Sequence, residues 1–154
     1  MKVLLNLSLL VLLSLHGKAG ANEHYADLAV SEGALQHSRW QALQRFAPRY
    51  PDKDAQSRKE GCAVIEYVIT PTYELKDIKM LSATGDRFAK QARQVVKKWK
   101  WSDLPAGIVQ QTVKTRTQFQ FCLEDGSGRC QSGGAGENTE CKGADTIWSV
   151  GYRH

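Results

Sequence analysis

Between residues 61 and 121 the hydrophobic period of this 154-residue chain changes twice, and that switch limits what it can fold into. From Gly61 the residues alternate. Ala63, Ile65, Tyr67 and Ile69 share one face and Cys62, Val64, Glu66 and Val68 the other, which predicts a strand, β1, ended by Pro71. Residues 75–81 form a return strand, β2, with Ile78 and Met80 inward. The step from Leu75 to Ile78 breaks the alternation and predicts a bulge or a late strand start. Over residues 86–98 the period becomes helical, with Phe88, Ala92, Val95, Val96 and Trp99 in one apolar stripe. Lys90, Arg93, Lys97 and Lys98 make its outer face, read first as a solvated surface, and Thr84 or Asp86 can cap its start. After Pro105-Ala106-Gly107 the alternation returns over residues 112–121, β3. Val113, Thr115, Thr117, Phe119 and Phe121 lie on one side, and Thr112, Lys114, Arg116, Gln118 and Gln120 on the other.

A β-β-α-β order predicts an α+β fold: a small mixed sheet of three strands with helices packed on one face. The crossover through the helix makes β2 and β3 parallel and leaves room for β1 between them, in the order β2-β1-β3. The third strand is then an edge, and its unpaired N–H and C=O groups can accept an extended peptide as an added strand.

The flanking segments differ in kind. Lys2, the apolar run of residues 3–15 and Ala19-Gly20-Ala21 read as a secretory signal peptide over residues 1–21, cleaved before Asn22 to leave a periplasmic protein. The alternative is an uncleaved inner-membrane anchor, but this run is short of the roughly 20 residues a spanning helix needs. Losing Lys2 and Lys18 lowers the formal charge from +5 to +3, which is mild for a nucleic-acid binder. Residues 22–47 form an N-terminal helical segment, with Leu28, Leu35, Trp40, Leu43 and Phe46 on one side and a break at Gly33. The core domain spans residues 48–123. A glycine-rich tail of residues 124–154 reads as loop, apart from 146–152, which can make a short strand or a docked segment.

Four cysteines in an exported chain favour two disulfides. Cys62 opens β1 and Cys122 follows β3, both in the outward parity set of antiparallel neighbours, so Cys62 is expected to pair with Cys122 and Cys130 with Cys141. There is no C-x-x-C pair for zinc. No catalytic residue, metal or other cofactor is expected. His24, His37 and His154 are scattered, no nucleophile elbow or phosphate loop occurs, and Ser82 sits at a strand end. Trp99 and Trp101 are expected to pack in the core or along its edge.

The run from Arg49-Tyr50-Pro51 through the Gly61 strand, Thr70-Pro71, Leu81-Ser82-Ala83, Trp99-Lys100-Trp101 and Phe119-Gln120-Phe121 resembles the C-terminal domain of TonB, the periplasmic energy-transducing protein of Gram-negative bacteria. The resemblance covers roughly half the chain and implies a binding domain that does no chemistry. Such domains pair their last long strand with the Ton box of outer-membrane transporters, helped by residues around the Tyr-Pro motif. The matching positions are Arg49, Tyr50 and Pro51, and Arg116, Gln118 and Gln120 on β3. Tyr50-Pro51 can equally just begin the domain and pack on its sheet. In place of the family's Asp-Gly-type turn stands Thr72-Tyr73-Glu74. The four prolines, at 48, 51, 71 and 105, build no periplasm-crossing spacer, and no Ser-x-x-x-His pattern surrounds Ser8, Ser14 or His16. The resemblance therefore implies an adaptor, a competitor for the same partners or a component of an envelope complex. A second reading is a structural or peptidoglycan-associated module whose basic helix face meets an anionic surface.

Overall fold

The computed structural model describes residues 25–152, so the signal-peptide reading and its cleavage site lie outside the described residues. Among the described residues, four strands form one mixed sheet in the order β2-β1-β3-β4: β1 (Gly61–Ile69), β2 (Leu75–Ala83), β3 (Val113–Glu124) and β4 (Thr146–Tyr152). β1 pairs antiparallel with β2 and β3, as the crossover requires, whereas β4 lies parallel to β3. The expected three strands are present in the expected order, but the sheet has a fourth, supplied by the tail. Two α-helices, α1 (Asp52–Gln56) and α2 (Asp86–Lys98), precede β1 and β3. Among the described residues no helix is long and apolar enough to cross a membrane.

The core lies between α2 and the inner face of the sheet. Ala63, Ile65, Tyr67 and Ile69 meet Phe88, Ala92, Val95 and Val96 of α2, with Phe119 and Phe121 of β3 beside them. Trp99 and Trp101 are core residues, as expected. Each also donates its indole N–H to a backbone carbonyl, of Phe46 at 2.9 Å and of Val96 at 2.8 Å. Those two bonds fix how the chain leaves the helix. The start of α2 differs from expectation, because no side chain caps it. Thr84 instead places its hydroxyl 2.9 Å from the Cys62 N–H, where it tethers β2 to β1. Gly61 makes that contact possible: a Cβ there would sit 2.2 Å from the Thr84 oxygen and 2.5 Å from the Phe88 ring.

The β1–β2 hairpin turns without glycine. Tyr73 takes the left-handed conformation at φ 61°, held by its N–H to Thr70 O and by its hydroxyl on the Pro105 carbonyl. The bulge expected near Leu75–Ile78 is present as a register shift between Glu66 and Val68, with Asp77 at φ 45° opposite, and a second shift separates Val64 and Ile65. Met80 faces Ile65 as the alternation requires, but it is not inward. It lies beyond the flank of α2 and stays half exposed. The N-terminal segment is less regular than expected: among its described residues there are only single 3-10 turns, at Ala34–Gln36 and Ser38–Trp40. Gly33 at φ 64° and an extended His37 interrupt any longer helix. Leu35, Trp40 and Leu43 are nevertheless buried, while Phe46 is exposed.

The outer face of the sheet is the larger departure. Every residue of β1 is buried, including Cys62, Val64, Glu66 and Val68 of the face read as outward. The tail lies over it. Gln120 donates from its amide to Asn138 O at 2.9 Å and accepts from Asn138 N at 3.0 Å. The disulfides follow this arrangement. Cys62 is bonded to Cys141 and Cys122 to Cys130, so the expected pairing of Cys62 with Cys122 and of Cys130 with Cys141 is wrong. The register explains why: Cys62 stands opposite Gln120, which makes Cys122 a diagonal neighbour. Diagonal pairs lie about 7–8 Å apart, beyond the usual disulfide Cα separation of about 4.4–6.8 Å. The bonded pairs have Cα separations of 5.9 and 5.6 Å.

Non-reducing peptide maps should therefore show 62–141 and 122–130 links. Removing the long link by paired Cys62→Ser and Cys141→Ser should destabilise by about 4 kcal/mol, against about 2–3 kcal/mol for the short one. Equal losses measured by denaturant unfolding would contradict a tail that is pinned across the sheet. An ion pair gives a second expectation. Asp54 of α1 is buried and takes two bonds from Arg87 of α2, at 2.6 and 2.7 Å. The Arg87 guanidinium holds its carboxyl below the ordinary 3.8. A depressed folded-state pKa contributes stability above the unfolded value and loses it as pH falls through the folded one. Asp54→Asn should cost about 1–2 kcal/mol at neutral pH, and the gap between mutant and wild type should close as the pH falls below the ordinary Asp range. A gap independent of pH would mean the charge is not what matters there.

Candidate functional site: the free edge of the sheet

The candidate site is a sheet edge, and the strand that forms it is not the one expected. Both ends of the described chain lie along β3. Val30 bridges Lys114 in parallel, with Ser31 N bonded to Lys114 O at 2.7 Å and Thr115 Oγ1 to Ser31 O at 2.8 Å. From Gln118 onward β4 takes over, beginning with Gln118 N on Asp145 O at 2.8 Å. A strand directs alternate backbone groups to alternate sides, so Gln118 and Gln120 both turn theirs toward β4. β3 is an interior strand, flanked by β1 on one side and by residues 30–31 and β4 on the other.

The side chains proposed on β3 are equally engaged. Gln118 and Gln120 are buried under the tail. Arg116 donates to Glu66 and to Glu32, both at 2.9 Å, which ties the sheet to the N-terminal segment. The mutual field of these charges raises the Arg116 pKa above its ordinary value, its hydrogen bond to Glu66 first among the causes.

Arg49, Tyr50 and Pro51 stay together but do different things. Arg49 is exposed and its Nη2 donates to both carboxylate oxygens of Asp52, at 2.8 and 3.1 Å. Pro51 is buried at the start of α1. Tyr50 stands edge-on to Phe88 and Phe121, with ring centroids 6.1 and 5.9 Å away, and donates its hydroxyl to Lys59 O at 2.6 Å. It also lies against β4, since a Cβ on Gly151 would come within 3.2 Å of its ring. The Tyr-Pro pair thus packs the chain onto the sheet beside β4 and does not reach the outer side of β3.

β4 is fixed in place by polar contacts at its start. The buried Asp145 carboxylate accepts from Thr117 at 2.9 Å and from Arg45, whose guanidinium lies 5.7 Å from the Trp99 ring centroid. Thr117 also meets the Tyr67 hydroxyl at 2.8 Å, and burial keeps that phenol protonated well above its usual range. Ser149 donates to Pro48 O at 2.8 Å. The Cys62–Cys141 bond holds the chain four residues ahead of Asp145.

That leaves two edges, β2 and β4. β2 carries Lys76, Asp77 and Lys79, with ion pairs Lys76–Glu74 and Lys79–Asp77, and two register shifts; charges and bulges are how edges resist pairing. β4 reads Thr-Ile-Trp-Ser-Val-Gly-Tyr, with no charge and no proline. Because Asp145 faces β3, the residues in step with it face β3 as well, and Thr146, Trp148, Val150 and Tyr152 turn their backbone groups outward. Val150 and Tyr152 are exposed, and the buried indole N–H of Trp148 has no hydrogen-bond partner among the described residues. The sequence pattern carried part of this signal: residues 146–152 stood out in the tail, but alternation alone does not say which strand they join.

A family model described as Gram-negative bacterial TonB protein C-terminal matches residues 47–123, half of the chain. No curated protein matches. Among solved structures, the solution NMR structure of Pseudomonas aeruginosa TonB CTD aligns at 22% identity and a TM-score of 0.40, covering 52% of this chain and 85% of that one. The matched residues take in α1, β1, β2, α2 and nearly all of β3, and stop before the tail that adds β4. The chain belongs to the TonB C-terminal family of Gram-negative bacteria.

Proposed function

We propose that this domain is a periplasmic recognition module for TonB-dependent transport, and that it takes an extended segment of an outer-membrane transporter as a fifth strand on the outer edge of β4. Family membership supports the class of partner, and the two disulfides suit an oxidising compartment. The observation that carries the strand assignment is the unprotected character of β4: seven uncharged residues with alternate N–H and C=O groups free for a partner. Displacement of β4 by the incoming peptide is the less favourable route. It would break the Asp145 contacts with Arg45 and Thr117, and the disulfide at Cys141 would keep the released strand close to the site it left.

Val150→Pro tests this directly. It removes an outward N–H and leaves the β3–β4 ladder intact, a position where an edge strand tolerates proline. Outer-membrane extract passed over the immobilised wild type should yield a TonB-dependent transporter, and the variant, with unchanged circular dichroism, should bind it at least tenfold more weakly. A folded Val150→Pro domain that retains the transporter at full affinity would rule out pairing at β4.

A further inference from the structure

A second surface stands apart from the β4 edge. α2 packs across β1 and β2, at the opposite end of the sheet order from β4. From Arg87 to Lys100 the chain carries Lys90, Arg93, Lys97 and Lys98 on the exposed side of the helix and no acidic residue. Among the described residues none of these four makes an ion pair, whereas Arg87 is committed to Asp54. Two grooves run along this face and share Gln94 as the ridge between them. Lys90, Arg93 and Lys97 line one groove with Met80, and Lys98 lines the other with Phe46. Met80 is 50% exposed and Phe46 44%, so the cationic strip is bordered on both sides by large apolar side chains open to solvent.

We propose that this face docks on an anionic phospholipid surface. Four cations along the exposed side of one helix, none ion-paired among the described residues, complement a layer of lipid phosphates, and each basic residue held near such a surface adds to its attraction. The borders decide between lipid and other anions. An acidic polymer or peptide would be held by the cations alone, whereas Phe46 and Met80 gain only where acyl chains lie beneath the headgroups. With α2 on a bilayer, the β4 edge at the far end of the sheet stays accessible, so this inference does not depend on peptide pairing.

The test uses flotation of the oxidised domain with vesicles of phosphatidylethanolamine and phosphatidylglycerol at three to one, and with neutral phosphatidylcholine vesicles. Binding is expected to the anionic vesicles only, and to weaken as salt is raised. The exposed triple variant Lys90→Gln, Arg93→Gln, Lys97→Gln should lose about a hundredfold, roughly fivefold per cation. Phe46→Gln with Met80→Gln should weaken vesicle binding several-fold and leave binding to soluble polyglutamate or to purified cell wall unchanged. Failure to float with anionic vesicles at 0.1 M salt would overturn the proposal. So would apolar substitutions without effect, which would make the face a general polyanion site.

Discussion

The buried carboxylate of Asp145 is the contact on which the rest of this architecture depends. A charge taken out of water must be paired and hydrogen-bonded or its desolvation is costly. Here Arg45 and Thr117 supply those partners, and Arg45 lies over the Trp99 ring. Through one side chain the tail, the segment before the Tyr-Pro pair, β3 and the end of α2 are joined, and Tyr67 extends the network through Thr117 into the core. Once Asp145 is held there, its carbonyl receives the Gln118 N–H and β4 continues along β3. The identity of the free edge follows from that step.

The covered outer face follows from the same tail. Residues 125–145 must travel from the end of β3 to the start of β4, and parallel neighbours cannot be joined by a tight turn. Their path crosses the sheet, where it buries Gln118 and Gln120 and brings Cys141 to Cys62. The early part is shaped by a short loop in which Glu124 accepts from the N–H groups of Gly126, Gly128 and Cys130, closed by the Cys122–Cys130 bond. The glycines that made this stretch read as loop let it follow so tight a course, with Gly126, Gly128 and Gly133 at positive φ.

Periodicity made β1, β2, α2 and β3 legible in the sequence, together with their order, because each buries one face and repeats accordingly. The expected disulfides, the β3 edge and the outward reading of the second face of β1 fail together and for one reason: all three assume that nothing crosses the sheet. Some signal was present. Cys62, Val64 and Val68 make the supposed outward face of β1 largely apolar, which is the pattern of a strand covered on both sides. What occupies that face depends on contacts such as Asn138 to Gln120 and Asp145 to Arg45, between residues whose separation follows no period. The Tyr-Pro pair had two readings on sequence. Its packing role is plain in the Phe88 and Phe121 contacts of Tyr50, while Arg49 alone of the three remains at the surface.

The central claim is that β3 is interior and β4 is the edge, and amide hydrogen exchange on the oxidised domain tests it residue by residue. The amides of Gln118, Gln120 and Cys122, which face β4, should be protected almost to the level of the core. Those of Trp148, Val150 and Tyr152, facing outward, should exchange freely and gain protection only when a peptide partner binds. Rapid exchange at Gln118 and Gln120 in the partner-free protein, with the β4 amides of Ile147, Ser149 and Gly151 no more protected than the loop of residues 126–134, would contradict the account and return the free edge to β3.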